Sequence, residues 1–148
     1  MLKLVFTVFC VQALLSEVMG FKKEEVIVKM QECLGIMGLE PEDVKRGWRE
    51  GDLDPCFLAC FYKATKVINS DGMFDMDHTI NSLKEAEILE EDKERLSKIS
   101  MDCVIVNEEE VLDGVEGCER SKLLFDCIRT GLGPHQSEMS KNAGTGMW

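Results

Sequence analysis

Apolar side chains recur along this chain at the three-and-four spacing of helices, and clusters of turn residues separate the runs. Residues 21–37 place Val26, Met30, Cys33 and Met37 on one side, with Gly38 as a stop. Residues 41–50 predict a short helix, with Pro41 in its first turn, acids behind it and Gly51 at its end. The clearest stripe lies in residues 55–69, where Phe57, Phe61, Ala64 and Ile68 fall at i, i+4, i+7 and i+11. Asn69-Ser70-Asp71-Gly72 reads as a turn. A further helix is predicted from about Asp77, carrying Ile80, Leu83 and Ile88. The next covers residues 90–106, with Leu96, Ile99, Cys103 and Val106 on one side. Its acids Glu90, Glu91 and Asp92 sit at the positive end of the helix dipole. An acidic, glycine-containing connection over residues 107–117 leads to a last helix over 117–129, with Cys118, Leu124, Phe125 and Ile128 inward. No segment alternates with the two-residue period of a strand. The predicted fold is therefore all-α, a compact bundle of about six helices in one domain.

The first twenty residues change the picture of where the chain resides. Lys3 precedes an apolar run over residues 4–15, and smaller, more polar residues lead to Gly20. That run falls short of the roughly 20 residues needed to span a bilayer. A basic start, a short apolar centre and small Val18 and Gly20 at the cut site predict a secretory signal over residues 1–20. The helical domain then covers 21–130, and a Gly- and Ser-rich flexible tail covers 131–148, apolar only at Met147 and Trp148. With no Asn-x-Ser/Thr acceptor, the expected product is an unglycosylated, soluble, extracellular domain.

The chain carries a formal charge of −11, and removal of Lys3 and Glu17 with the signal leaves that unchanged. So acidic a chain is unsuited to nucleic acid, which requires clustered Lys and Arg to displace counterions. It is equally unsuited to anionic membranes; most of these carboxylates serve solubility.

Of the 7 cysteines, Cys10 lies in the signal. Cys33, Cys56, Cys60, Cys103, Cys118 and Cys127 remain, an even set that predicts three disulfides in a secreted chain. Cys56 and Cys60 stand four apart on the strongest helix. Their Cβ atoms would be about 5–6 Å apart on parallel vectors, too far for the roughly 3.8 Å of a disulfide. Of the 15 pairings that six cysteines allow, about 12 survive that exclusion. In each of them the two sulfurs tie this helix to two different partners. Structural zinc would need a second close Cys pair, which is missing.

Other chemistry finds little support. With Gly72 at the sixth position of a calcium loop, the first and twelfth ligands would be Val67 and His78, both unsuitable. The histidines are His78 and His135 alone, and no nucleophile elbow, phosphate loop or His-Glu-x-x-His is present. His78 is followed by Thr79 rather than the Asp of a secreted phospholipase. A saposin-like fold would want a Cys-x-x-Cys pair near its start. No cofactor, no metal and no enzymatic activity are expected.

The cysteine spacing is Cys33-x22-Cys56-x3-Cys60-x42-Cys103-x14-Cys118-x8-Cys127. This framework, with its x3 and x8 intervals, resembles that of the insect odorant-binding proteins, the pheromone-binding and general odorant-binding family. The resemblance runs from about Phe21 to Arg129 and includes the signal, length and acidity. It implies six helices stapled by three interlocked bridges, Cys33–Cys60, Cys56–Cys118 and Cys103–Cys127, around an apolar pocket. It also implies non-covalent carriage of small hydrophobic ligands such as odorants or pheromones. The partners that follow are that ligand, a membrane odorant receptor and a homodimer. In some relatives a C-terminal amphipathic helix enters the pocket at acid pH; here Gly131, Gly133, Pro134, Gly144 and Gly146 argue against one.

The residues expected to line such a pocket are Phe57, Phe61, Met73, Phe74, Met76, Ile80, Leu83, Ile88, Leu96, Ile99, Leu124, Phe125 and Ile128. Met and Phe suit a cavity that adapts to flexible guests. The alternative is a solid core in a disulfide-stapled interaction protein of a glandular secretion, with no small-molecule ligand.

Overall fold

In a computed structural model of the chain, residues 23–133 are described. They form helices α1 (Lys23–Met37), α2 (Pro41–Glu50), α3 (Pro55–Ala64), α4 (Met76–Glu85), α5 (Glu90–Asp102) and α6 (Cys118–Leu132). Two 3₁₀ turns, Cys103–Asn107 and Gly114–Glu116, lie between α5 and α6. Among the described residues there is no strand; one isolated bridge pairs Ile68 with Phe74. The fold is all-α.

The helix starts follow from local chemistry. Glu40 donates its backbone N–H to the Asp43 carboxylate at 3.1 Å, and Pro41 occupies the first turn of α2. Gly51 closes that helix in the left-handed region, φ 75°, with its N–H on the Gly47 carbonyl. The Asp54 carboxylate accepts from the N–H groups of Cys56 and Phe57 at 2.8 and 2.9 Å, capping α3. Asp75 does the same for α4 through the His78 N–H at 2.9 Å.

Helix ends depart from the periodicity where tertiary contacts intervene. α3 stops at Ala64 rather than running to Asn69. The Thr65 hydroxyl donates to the Phe61 carbonyl at 2.9 Å, Lys66 turns left-handed, φ 59°, and the N–H groups of Val67 and Ile68 both reach the Tyr62 carbonyl. Ile68 is thus buried as the apolar stripe demands, but it is buried in the bridge with Phe74 and not on the helix. α5 likewise ends at Asp102, and residues 103–107 tighten into a 3₁₀ turn. Cys103 is tethered to Cys127 there, and the buried Arg120 guanidinium donates to the Val106 and Glu109 carbonyls. Ile88 was expected on the inward face of α4. It lies instead in the link between α4 and α5, 40% exposed, because α4 ends at Glu85.

α3 and α6 form the centre, packed on each other. α1 lies against α3, α5 against α6, and α4 against α5. The core fills the space between them with Leu34, Phe57, Leu58, Ile99, Leu124 and Phe125 among others. Leu124 and Phe125 are wholly buried, and the edge of Trp48 meets the Phe125 ring at 5.3 Å between centroids.

Candidate functional site

Three covalent ties set the frame. Cys33 is bonded to Cys60, Cys56 to Cys118, and Cys103 to Cys127, the same pairs that the resemblance implies. Cys56 and Cys60 therefore reach two different helices from α3, one the start of α6 and one α1. The third bond fastens the end of α5 to α6. In a chain-entropy account each loop closure stabilises the fold by roughly 2–4 kcal/mol. The bonds thus constrain the relative placement of α1, α3, α5 and α6 in addition to core packing.

The apolar candidates divide by depth. Phe57, Phe74, Ile99, Leu124 and Phe125 are buried in the core. Phe61, Met76, Leu96 and Ile128 are half-buried and pack against it. Met73, Ile80 and Leu83 are half-buried as well. The core cluster thus takes in nine of the thirteen, and Met73, Ile80, Leu83 and the exposed Ile88 lie outside it.

α4 is the informative element. Met76, Ile80 and Leu83 fall at i, i+4 and i+7, so one face of the helix is apolar. Yet α4 has no buried residue. The stripe is partly covered, with Met76 packed against the core, whereas α6 buries Leu124 and Phe125 completely. Leu96 of α5 and Ile128 of α6 share this intermediate burial.

Two features escaped the sequence reading. One is Tyr62, buried on the side of α3 away from the Phe57–Phe61 stripe. Leu58 and Tyr62 gave the available signal, since apolar residues all round a helix mean burial on every side. Burial, then the Asp126 carboxylate, push the Tyr62 phenol well above its ordinary range. The other is an open groove of about 370 Å³ where α3 gives way to α4, lined by Lys63, Lys66, Ile68, Asn69, Ser70, Asp75 and His78. The Asn69–Gly72 turn was legible, but the lysines flanking it carried no local signal. No group of three or more His, Cys, Asp or Glu side chains among the described residues is arranged to hold a metal.

The model of the PBP/GOBP family matches residues 16–130, which takes in all six bonded cysteines. No curated protein and no solved structure matches the chain.

Proposed function

The chain belongs to the PBP/GOBP family, the insect odorant- and pheromone-binding proteins, and we propose that it is a secreted carrier holding a small hydrophobic ligand non-covalently inside the bundle. Members of the family are binding proteins rather than enzymes, and they are secreted. No described helix is long and apolar enough to cross a membrane.

The observation that carries the reading is the half-covered apolar stripe of α4, Met76, Ile80 and Leu83, in a frame held by three disulfides. An alkyl ligand seated along it gains about 0.8 kcal/mol per methylene removed from water. About ten methylenes would supply roughly 8 kcal/mol, from which the cost of association is subtracted, so tight binding of a volatile or long-chain alcohol, ester or aldehyde needs a longer chain or further polar contacts. Phe61, Leu96 and Ile128 complete the proposed lining, and Phe57, Phe74, Ile99, Leu124 and Phe125 form its floor. In this reading residues 1–20 direct secretion and a membrane odorant receptor takes up the cargo; α6 runs through the buried Leu132, so the tail begins after it rather than at Gly131. A homodimer is carried forward on the resemblance alone. Residues 1–20 and 134–148 lie outside the described residues.

Displacement of an environment-sensitive apolar dye tests the proposal. Saturable fluorescence enhancement, reversed by long-chain alcohols, esters or aldehydes, is the expected result. No uptake and no competition would leave the solid-core interaction protein as the better reading. N-terminal sequencing of the chain secreted from insect cells should begin at Phe21; an intact Met1 on secreted material would contradict the assigned signal.

A further inference from the structure

We propose that the groove between α3 and α4 is a second binding site, specific for a small organic carboxylate held by Lys63 and Lys66. Its position is separate from the apolar face described above: it opens outward where α3 ends, with Ile68 and the lysine stems beside Asn69, Ser70, Asp75 and His78.

The groove is lined by two lysines in an otherwise acidic molecule. The chain is strongly acidic, and Lys45, Arg46, Lys93, Arg95 and Lys122 all pair with carboxylates one turn away. Lys63 and Lys66 form no ion pair among the described residues. Lys63 donates from Nζ to the Val115 carbonyl at 2.7 Å, which fixes the ammonium without neutralising it and uses one of its three donors. Asp75 is the one carboxylate in the lining, and its Oδ1 accepts the His78 N–H as the cap of α4. The His78 ring lies 3.3 Å from the Ser82 hydroxyl. Two lysines against one carboxylate leave a net charge near +1, which matches a monoanion.

The backbone adds an independent observation. Lys66 is the one non-glycine residue in the left-handed region among those described, φ 59°. That conformation favours Gly or Asn, and strained positions of this kind gather at ligand sites. Here the strained residue is one of the two cations on the groove. The wall is also built before any ligand arrives. The Asn69 carboxamide oxygen accepts from Asp71 and Met73 N–H at 2.9 and 3.0 Å, and the Asn107 carboxamide clamps both backbone polar groups of Phe74. A preformed wall reduces the ordering cost of binding. The apolar content of the lining favours an organic acid over a bare inorganic anion.

Amide NMR spectra of the oxidised, secreted chain, titrated separately with hexanoate, hexan-1-ol and inorganic phosphate, test this. Hexanoate should shift the amides of Lys66, Asn69 and Ser70 saturably, hexan-1-ol should leave them in place, and phosphate should bind at least tenfold more weakly. Lys66→Asn, which suits the left-handed backbone, should keep the folded spectrum and weaken hexanoate at least fivefold; Lys98→Asn on α5 should leave it unchanged. The proposal is overturned if hexan-1-ol produces the same shifts, if Lys66→Asn binds hexanoate as well as the parent, or if phosphate binds as tightly, which would mark an adventitious anion only. The outcome does not depend on whether the interior takes a ligand, since dye displacement reports that site.

Discussion

Tyr62 is the single tyrosine of the chain, so its ionisation can be followed without interference. Its phenol is held neutral by burial and by the Asp126 carboxylate, so the folded state binds this proton more tightly than the unfolded chain does. The associated stability is complete below about pH 10, the ordinary tyrosine value, and is lost as pH rises beyond it. Tyrosinate absorbance should therefore stay absent near pH 10.5 while the protein is folded and appear together with unfolding; a simple titration centred near 10 would contradict the burial. Two other residues act through the turn that leads into α4. A Cβ on Gly72, where φ is 77°, would stand 2.4 Å from the Gly114 carbonyl oxygen, backbone that cannot swing away. Gly72→Ala should cost about 2–3 kcal/mol in urea unfolding, from strain and clash together. Asn107→Ala removes both hydrogen bonds to Phe74 and should cost about 2 kcal/mol by the same measurement. Neither role could be read from sequence. Asn107 looked like the start of an acidic connection, and its partner lies 33 positions away; Gly72 was legible as a turn but its neighbour Gly114 was not.

At the scale of elements, starts were more legible than ends. Asp54-Pro55, Pro41 and the Gly51 stop are local chemistry, and α2 has the bounds that the sequence predicted. The end of α3 was not legible, because Ile68 satisfies the helical stripe and the bridge to Phe74 equally well, and only the tertiary pairing chooses. The tightening after Asp102 depends on Cys127 and Arg120, both remote in sequence. The periodicity of α4 showed an apolar face but not how deeply it is covered, which is the property the proposed function rests on. Paired substitutions separate wall from core. Leu124→Ala, at a site with no exposed surface, should cost about 3–4 kcal/mol. Leu83→Ala should cost about 1 kcal/mol or less, since the side chain is half-covered, yet weaken an apolar dye several-fold. Equal stability losses with unchanged dye binding would show that α4 is an ordinary part of the core.

At the scale of the molecule, the cysteine spacing carried the most information. The residues alone excluded the Cys56–Cys60 bond and left many pairings open. The resemblance, not the geometry of any one helix, singled out the three bonds found. Those bonds make α3 the centre of the frame, tied to α1 through Cys60 and to α6 through Cys56. The account's central claim is that this frame holds space for an apolar guest. The most direct test is native mass spectrometry of the intact oxidised chain equilibrated with dodecan-1-ol, before and after disulfide reduction. The account predicts one retained alcohol per oxidised chain and none after reduction. An oxidised chain that retains no alcohol, or a reduced chain that retains as much, would contradict it.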